Sequence, residues 1–299
     1  MRVTLLGTGC PQAHPRRFGP ASLVRARGRA FLVDCGSGVT QRLIEAGCPG
    51  RDLDALLLTH LHSDHVVDLY QLIVSSWHQG RDRPQRIFGP PGTRRFIEGL
   101  MDLWRSEREQ RIAYEERPSA AAFELEIKEF EEGLVLEEGG IRISAFEVDH
   151  RPFAPAFGFL IEAGGRRLAF SGDTRVCANL ARWARSCDAL VHECFVHGAM
   201  EAVPRARSEA TIRNVAAYHT SSREVGRVAH EAGAAMLVLN HFVPADFDRA
   251  ALLDEVRRDY AGPVVIGEDL TTIDLERRAV TFAGLHLGLG RGQNGDSSP

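Results

Sequence analysis

The sequence predicts an α/β fold in which two mixed sheets are flanked by helices. Three observations lead to it. Apolar runs of strand length recur from Val3 to Phe282 and stop at turns rich in Gly, Asp or Pro. In each half, hairpin-like strand pairs give way to alternating strands and helices. Several runs end on a His or Asp, the strand-end position where loops carry function. The 299 residues suffice for a full core. Residues 1–286 are read as one domain, and the Gly-rich polar tail 287–299 is expected to be disordered.

Val3–Leu6 is the first strand, ended by Gly7, Gly9 and Pro11. Ala21–Arg25 and Arg29–Val33 are strands joined at Gly28, and Asp34-Cys35-Gly36-Ser37-Gly38 turns the chain into a helix over Val39–Ala46. Asp52–Thr59 is an apolar strand running into a histidine cluster. Val66, Leu69, Ile73 and Trp77 recur at helical spacing and predict a helix over Val66–Trp77. Arg86–Phe88 is a short strand and Gly89-Pro90-Pro91-Gly92 a turn; a helix from Thr93 to about Trp104 follows, then a charged stretch to Glu116. Strands are read at Phe123–Phe130, Leu134–Leu136 and Ile141–Val148. Ala156–Glu162 and Arg167–Ser171 form a hairpin around Gly164-Gly165, a turn tolerant of positive φ. Helices Asn179–Ala184, Ser208–Ala217, Ser222–Glu231 and Ala250–Tyr260 then alternate with strands Ala189–His192, Met236–Asn240 and Val264–Ile266. Leu270–Leu275 and Val280–Phe282 are closing strands.

Hydrophobic residues at 44% and charged residues at 25% are ordinary globular values. A net charge of −4 and a pI of about 6.3 give no global field for gathering nucleic acid. No apolar run approaches the ~20 residues of a membrane span, and no secretory segment is read at the start, so a cytoplasmic protein without membrane contact is expected. Its six cysteines, with no CxxC pair, are then reduced and mostly buried; only Cys177 and Cys187, ten apart, leave a bridge open.

His60-Leu61-His62-Ser63-Asp64-His65 concentrates three imidazoles and a carboxylate directly after a strand. These are the ligands of a catalytic zinc whose water must become acidic. One cluster is not a whole site. His150, Asp173 and His241 each follow an apolar run in the same way. A turn Asp or a capping His is common alone; the repetition of position points to one centre. Asp173 can bridge two cations with its two oxygens, and neighbouring histidines of one short segment cannot all reach a single ion. Two metals roughly 3.5–4 Å apart would serve displacement at phosphorus.

On these residues the chain resembles the metallo-β-lactamase fold superfamily, most of all its ribonuclease Z and arylsulfatase branch. The resemblance is carried by Leu6-Gly7-Thr8-Gly9, Asp34-Cys35-Gly36, the His60–His65 cluster, Gly89-Pro90-Pro91-Gly92-Thr93, His150, Ser171-Gly172-Asp173-Thr174, His192-Glu193-Cys194-Phe195, His219-Thr220-Ser221 and Asn240-His241-Phe242. It implies a four-layer αβ/βα sandwich. It implies that His60, His62 and His150 bind one zinc, that Asp64, His65 and His241 bind a second, and that Asp173 bridges them. Asp34 and Thr59 would hold ligands from behind, and Mn²⁺ or Fe would also suit such a donor set. Asp64 would further orient the attacking water. Glu193 would orient His219, which donates a proton to the leaving group. A homodimer is implied as well, through the helix after His65.

Ribonuclease Z enzymes that process tRNA commonly carry a long arm; here the corresponding connection is the tight Gly164-Gly165 hairpin. The leading expectation is therefore a dizinc hydrolase of small anionic esters, phosphodiesters or aryl sulfates, with Arg16, Arg17 and Arg175 as candidates to hold the anion. The alternative is a ribonuclease Z-type tRNA 3′-processing endonuclease. A metal-free scaffold is disfavoured because every expected ligand is present.

Overall fold

The computed structural model describes residues 1–288. The first half is built from β1 (Arg2–Gly7), β2 (Ala21–Ala26), β3 (Arg29–Val33), β4 (Ala55–Leu57), β5 (Gln85–Gly89) and β6 (Leu125–Glu129). Its helices are α1 (Val39–Glu45), α2 (Ser63–Val66), α3 (Leu69–His78), α4 (Thr93–Leu103) and α5 (Arg105–Glu115). The second half holds β7 (Gly133–Glu138), β8 (Ile141–Val148), β9 (Ala156–Ala163), β10 (Arg166–Phe170), β11 (Ala189–Phe195), β12 (Leu237–Val243) and β13 (Val264–Ile266). With them run α6 (Ala178–Trp183), α7 (Glu209–Ala216), α8 (Ser222–Glu231) and α9 (Arg249–Arg257). The chain then returns to the first sheet as β14 (Thr272–Asp274), β15 (Ala279–Phe282) and β16 (Leu285–Gly288).

Two sheets result, ordered β16-β15-β14-β1-β2-β3-β4-β5-β6 and β13-β12-β11-β10-β9-β8-β7. Both mix parallel and antiparallel pairs: β3, β4, β5 and β6 run parallel, as do β10, β11, β12 and β13. Side-chain alternation builds the layers. Phe31 and Val33 of β3 face the core between the sheets, with Phe157, Phe159, Ile161 and Val191 opposite. Ala30 and Leu32 face the other way, onto Leu43, Leu72 and Ile97 of α1, α3 and α4. In the second sheet Leu160 and Leu190 meet Leu180, Val225 and Leu252 of α6, α8 and α9. Helix, sheet, sheet, helix is the expected sandwich. Each fully buried Leu or Phe in it contributes roughly 1.5–3 kcal/mol.

The structure alters four local readings. The helix expected over Val66–Trp77 is two helices, α2 and α3, because Asp68 breaks it: its Oδ2 accepts from both the backbone N and Oγ1 of Thr40, each at 2.7 Å. The break lets α2 carry Asp64 and His65 separately from α3. The charged stretch after Trp104 is helix α5, with none of its residues buried; Arg111 pairs with Glu107 and Glu115 one turn away on either side. Strands β11 and β12 run past their expected ends, so Glu193 and His241 lie inside strands rather than beyond them. At the C-terminus, Leu287 and Gly288 of the expected disordered tail pair with β15; the rest of that tail lies outside the described residues.

Three hairpin turns meet at one pole of the sandwich. A Cβ on Gly140, in the β7–β8 turn, would lie 2.9 Å from the Arg27 side chain of the β2–β3 turn, and one on Gly164, in the β9–β10 turn, 3.7 Å from it. The opposite strand ends carry the polar cluster.

Candidate metal centre and active site

Two groups of side chains converge there. His60, His62, His150 and Asp173 bring one ligand atom each to within 4.8 Å of one another, and so do Asp64, His65 and His241. The first sheet supplies His60, His62, Asp64 and His65 after β4; the second supplies His150 after β8, Asp173 after β10 and His241 within β12. Asp173 stands between the groups. Its Oδ2 lies 3.9 Å from His60 Nε2 and His150 Nε2, 3.4 Å from His65 Nε2 and 3.2 Å from His241 Nε2. His241 Nε2 is also 3.3 Å from Asp64 Oδ2. All seven expected ligands are therefore in one place.

Unusual backbone aims them. His241 is the extra residue of a β-bulge: Glu193 pairs with Asn240 and Cys194 with Phe242, and His241 adopts φ 43°. A bulge re-aims one side chain without ending the strand. Asp34 has φ 60°. Strain of about 1–3 kcal/mol at such residues is held only where surroundings over-determine it. Those surroundings are Thr59 N, which donates to Asp34 Oδ1 at 2.8 Å, and Thr59 Oγ1, which donates to Asp34 Oδ2 at 2.9 Å. Gly36 and Gly172 are required by close approach: a Cβ on Gly36 would lie 2.5 Å from Asp64 O, and one on Gly172, at φ 59°, 2.4 Å from Phe157 O.

The donor set fits divalent metal. Three imidazoles present Nε2 inward because Nδ1–H is engaged outward: His65 donates to Asp34 Oδ2 (2.9 Å), His60 to Thr59 Oγ1 (3.0 Å) and His150 to the Tyr218 carbonyl (2.9 Å). Such outer partners fix tautomer and ring direction in metal sites. Inside, His62 Nδ1 lies 3.1 Å from His60 Nε2 and 3.2 Å from His150 Nε2. Burial lowers the pKa of all three, holding His60 well below the ordinary value and His62 at about 4, with the neighbouring imidazoles adding to it. Neutral rings whose nitrogens converge at this distance are the arrangement a cation's ligands need. The second group is the converse. Burial alone would lower His65 and His241, but Asp173 and the other nearby carboxylates outweigh it, raising His65 strongly and His241 to about 9. The same pairs hold Asp64 and Asp173 below the usual carboxylate range against their own burial. Protons on these rings stand where positive charge is wanted.

Glu193 and His219 form a second device beside the metal ligands. Glu193 Oε1 accepts from His219 Nδ1 (3.0 Å), Thr220 N (2.9 Å) and Thr174 N (3.2 Å). Both side chains are buried. His219 packs with ring centroids 5.3 Å from His150 and 5.7 Å from His241. A carboxylate that engages Nδ1 leaves Nε2 for a reacting group.

The three arginines expected to hold an anion all have protein partners. Arg17 is buried and donates to Thr8 Oγ1, Gly267 O and Ala245 O while pairing with Glu268 at 2.8 Å, so it is a strut between loops. Arg175 pairs with Asp149 at 2.9 Å, and exposed Arg16 lies 3.7 Å from Asp246. All six cysteines are free. Phe153, which sequence reasoning missed, packs its ring 4.0 Å from that of His62; the Tyr218 carbonyl was missed too, since a backbone acceptor leaves no trace in residue identity. Among the described residues no helix is long and apolar enough to cross a membrane.

Known proteins resemble this chain along most of its length. The family described as "Anti-Pycsar protein Apyc1" matches residues 1–230. A ribonuclease Z of Mycolicibacterium paratuberculosis is 38% identical over 283 residues, covering 92% of this chain and 99% of that protein. Among solved structures, human tRNase Z, short form, aligns with TM-score 0.70 at 24% identity, over 92% of this chain and 99% of the other. The metallo-β-lactamase fold protein YhfI of Bacillus subtilis aligns with TM-score 0.69 at 23% identity, over 91% and 99%.

Proposed function

The chain belongs to the metallo-β-lactamase fold superfamily, in the family of the anti-Pycsar protein Apyc1 and alongside the ribonuclease Z proteins, and from that premise we propose that this metal-dependent hydrolase is a phosphodiesterase of ribonuclease Z type, acting on tRNA 3′ ends. The observation that carries the proposal is the buried Glu193–His219 pair set against the seven converging ligands, in a chain similar along its length to proteins of that name.

His60, His62 and His150 would hold one metal, Asp64, His65 and His241 a second, and Asp173 both; zinc, or Mn²⁺ or Fe, suits these donors. Bound metal would acidify water and offset charge on the phosphoryl oxygens. The chain's own residues do the rest. Asp64 accepts a hydrogen bond from the attacking water and aims it at phosphorus. The water's oxygen bonds to phosphorus and gives up a proton to solvent, the bond from phosphorus to the leaving oxygen breaks, and His219 Nε2 gives that oxygen its proton. Glu193, accepting from Nδ1, orients the ring and stabilises the imidazolium that carries this proton on Nε2. A homodimer belongs to the same proposal and is checked by sedimentation.

One observation favours a second reading, hydrolysis of small phosphodiesters or aryl sulfates. Strands β9 and β10 are joined by Gly164-Gly165 alone, both at positive φ, with no arm. In the helical hairpin α4–α5, three of the five arginines already have acidic partners: Arg94 with Glu98, Arg105 with Asp102, and Arg111 with Glu107 and Glu115. The test is cleavage of a pre-tRNA 3′ trailer beside hydrolysis of bis-p-nitrophenyl phosphate and p-nitrophenyl sulfate, with metal content measured on the same sample. Trailer cleavage lost in Asp64→Ala supports the ribonuclease reading. An enzyme active on the small esters and inert on pre-tRNA replaces it with the second.

A further inference from the structure

Behind the ligands, between the ends of the two sheets, lies a cavity of about 40 Å³ lined by Ser22, Asp34, His65, His192, Asn240 and His241 among others. Five buried polar atoms of its lining residues have no hydrogen-bond partner among the described residues: His65 Nε2, His192 Nε2, Glu193 Oε2, Asn240 Oδ1 and His241 Nδ1. The other atoms in this condition, Arg42 Nε, Gln85 Nε2, Trp183 Nε1 and Arg278 Nε, are all donors and belong to residues elsewhere. Among the described residues, the unpaired buried side-chain acceptors are thus confined to this one cavity. Buried polar groups left unpaired are rare and call for a specific explanation.

His65 Nε2 is explained by its place among the ligands. The remaining four can be sorted by chemistry. His192 Nδ1 lies 2.7 Å from the Glu193 carbonyl, so it carries the hydrogen and Nε2 is a bare acceptor. Burial lowers the pKa of His192, which keeps the ring neutral. Asn240 Oδ1 and Glu193 Oε2 are acceptors. His241 directs Nε2 at Asp64 and Asp173, so as a ligand through Nε2 it carries its hydrogen on Nδ1 and is a donor there. Three acceptors and one donor cannot satisfy one another. Water, with two hydrogens to give and lone pairs to receive, can.

We infer that the cavity is a built water site in which one ordered water accepts from His241 Nδ1 and donates to His192 Nε2 and Asn240 Oδ1. The volume exceeds the roughly 10–15 Å³ that one water needs, leaving room for a second that reaches Glu193 Oε2. His192 and Asn240 are then positioning residues. Through water they fix the tautomer of a metal ligand and tie it to the carboxylate that orients His219. The water's role toward His241 rests on the metal assignment proposed above; the water site itself does not.

Two measurements test this. A high-resolution crystal structure of the zinc-loaded full chain is expected to show water at hydrogen-bond distance from His192 Nε2 and Asn240 Oδ1; a dry cavity, or a cation in it, overturns the inference. His192→Leu removes the acceptor and is expected to weaken the second zinc on the order of 10–100-fold, as loss of an outer partner does, leaving the first unchanged. Affinity is read by competition with a chromophoric chelator, and folding by thermal melting. His192→Gln, which returns an acceptor oxygen, is expected to recover part of the loss. If His192→Leu does not fold, Asn240→Leu replaces it, with Asn240→Asp as the restoring variant. Second-zinc affinity equal to wild type in the leucine variant overturns the positioning role. Ordered water in a chain that binds no zinc supports the site while removing the metal reading, so the two failures are distinguishable.

Discussion

His60 and His62 are held neutral, whereas His65 and His241 are held charged, and this contrast sets the proton balance of metal binding. A cation entering the second group must displace the protons on His65 and His241. Loading zinc at neutral pH is therefore expected to release protons, with apparent affinity rising with pH until His241 deprotonates near 9; calorimetry in buffers of different ionisation enthalpy checks this, and no buffer dependence refutes it. In the chelated protein the sign for stability follows. A raised folded pKa contributes stability that is full below the ordinary value of 6.5 and lost as pH rises through about 9. Melting of the metal-free chain should fall across that window. At His219 the prediction concerns the leaving group: His219→Ala should slow release of a ribose alkoxide by about 10²–10⁴-fold and that of p-nitrophenolate far less, since the latter leaves without a proton. Equal losses on both would argue that His219 binds rather than donates. The seven candidate ligands could be picked out as residues, because imidazole and carboxylate at strand ends admit few other uses, and the structure brings them together. Arg17 was misread because a charged loop residue looks the same whether it meets substrate or, as here, three protein acceptors and Glu268.

Among elements, most strands and helices could be read from period and turn residues, and the departures share a cause: tertiary partners that sequence spacing does not contain. The Asp68 break depends on Thr40, 28 residues earlier. The bulge at His241 depends on the register of β11 against β12. Helix α5 buries none of its residues, so apolar periodicity could not signal it. Two predictions belong here. Gly172→Ala drives a Cβ against the Phe157 carbonyl at a positive φ; it should cost about 1–3 kcal/mol in urea denaturation and displace Asp173 from both metal groups. Glu107→Gln on α5 should change stability by no more than about 0.5 kcal/mol, because an exposed helical pair is worth little.

Over the whole molecule, the candidate ligands come from both sheets: the first sheet brings four of them on one segment and the second brings three on separate segments. Metal would then act across the inter-sheet core as a cross-link between residues as distant in sequence as His60 and His241. Removing it with a chelator should lower the melting temperature and make it depend on free zinc, as expected for a ligand bound only by the folded state. A melting temperature indifferent to chelation would place the metals outside the folded core's energetics. The sandwich itself was legible from the alternation of elements, whereas the pairing of β14–β16 with β1 was not, because nothing local records which edge a returning strand will join. The meeting of three hairpin turns around Arg27 has a practical consequence. That pole faces away from the chemistry, and a Cβ on Gly28 or Gly165 would meet nothing within 4 Å. A surface tether or a fused reporter attached there would present every immobilised copy with its His/Asp cluster outward, giving an oriented layer in which a bulky RNA and a small ester reach that cluster on equal terms.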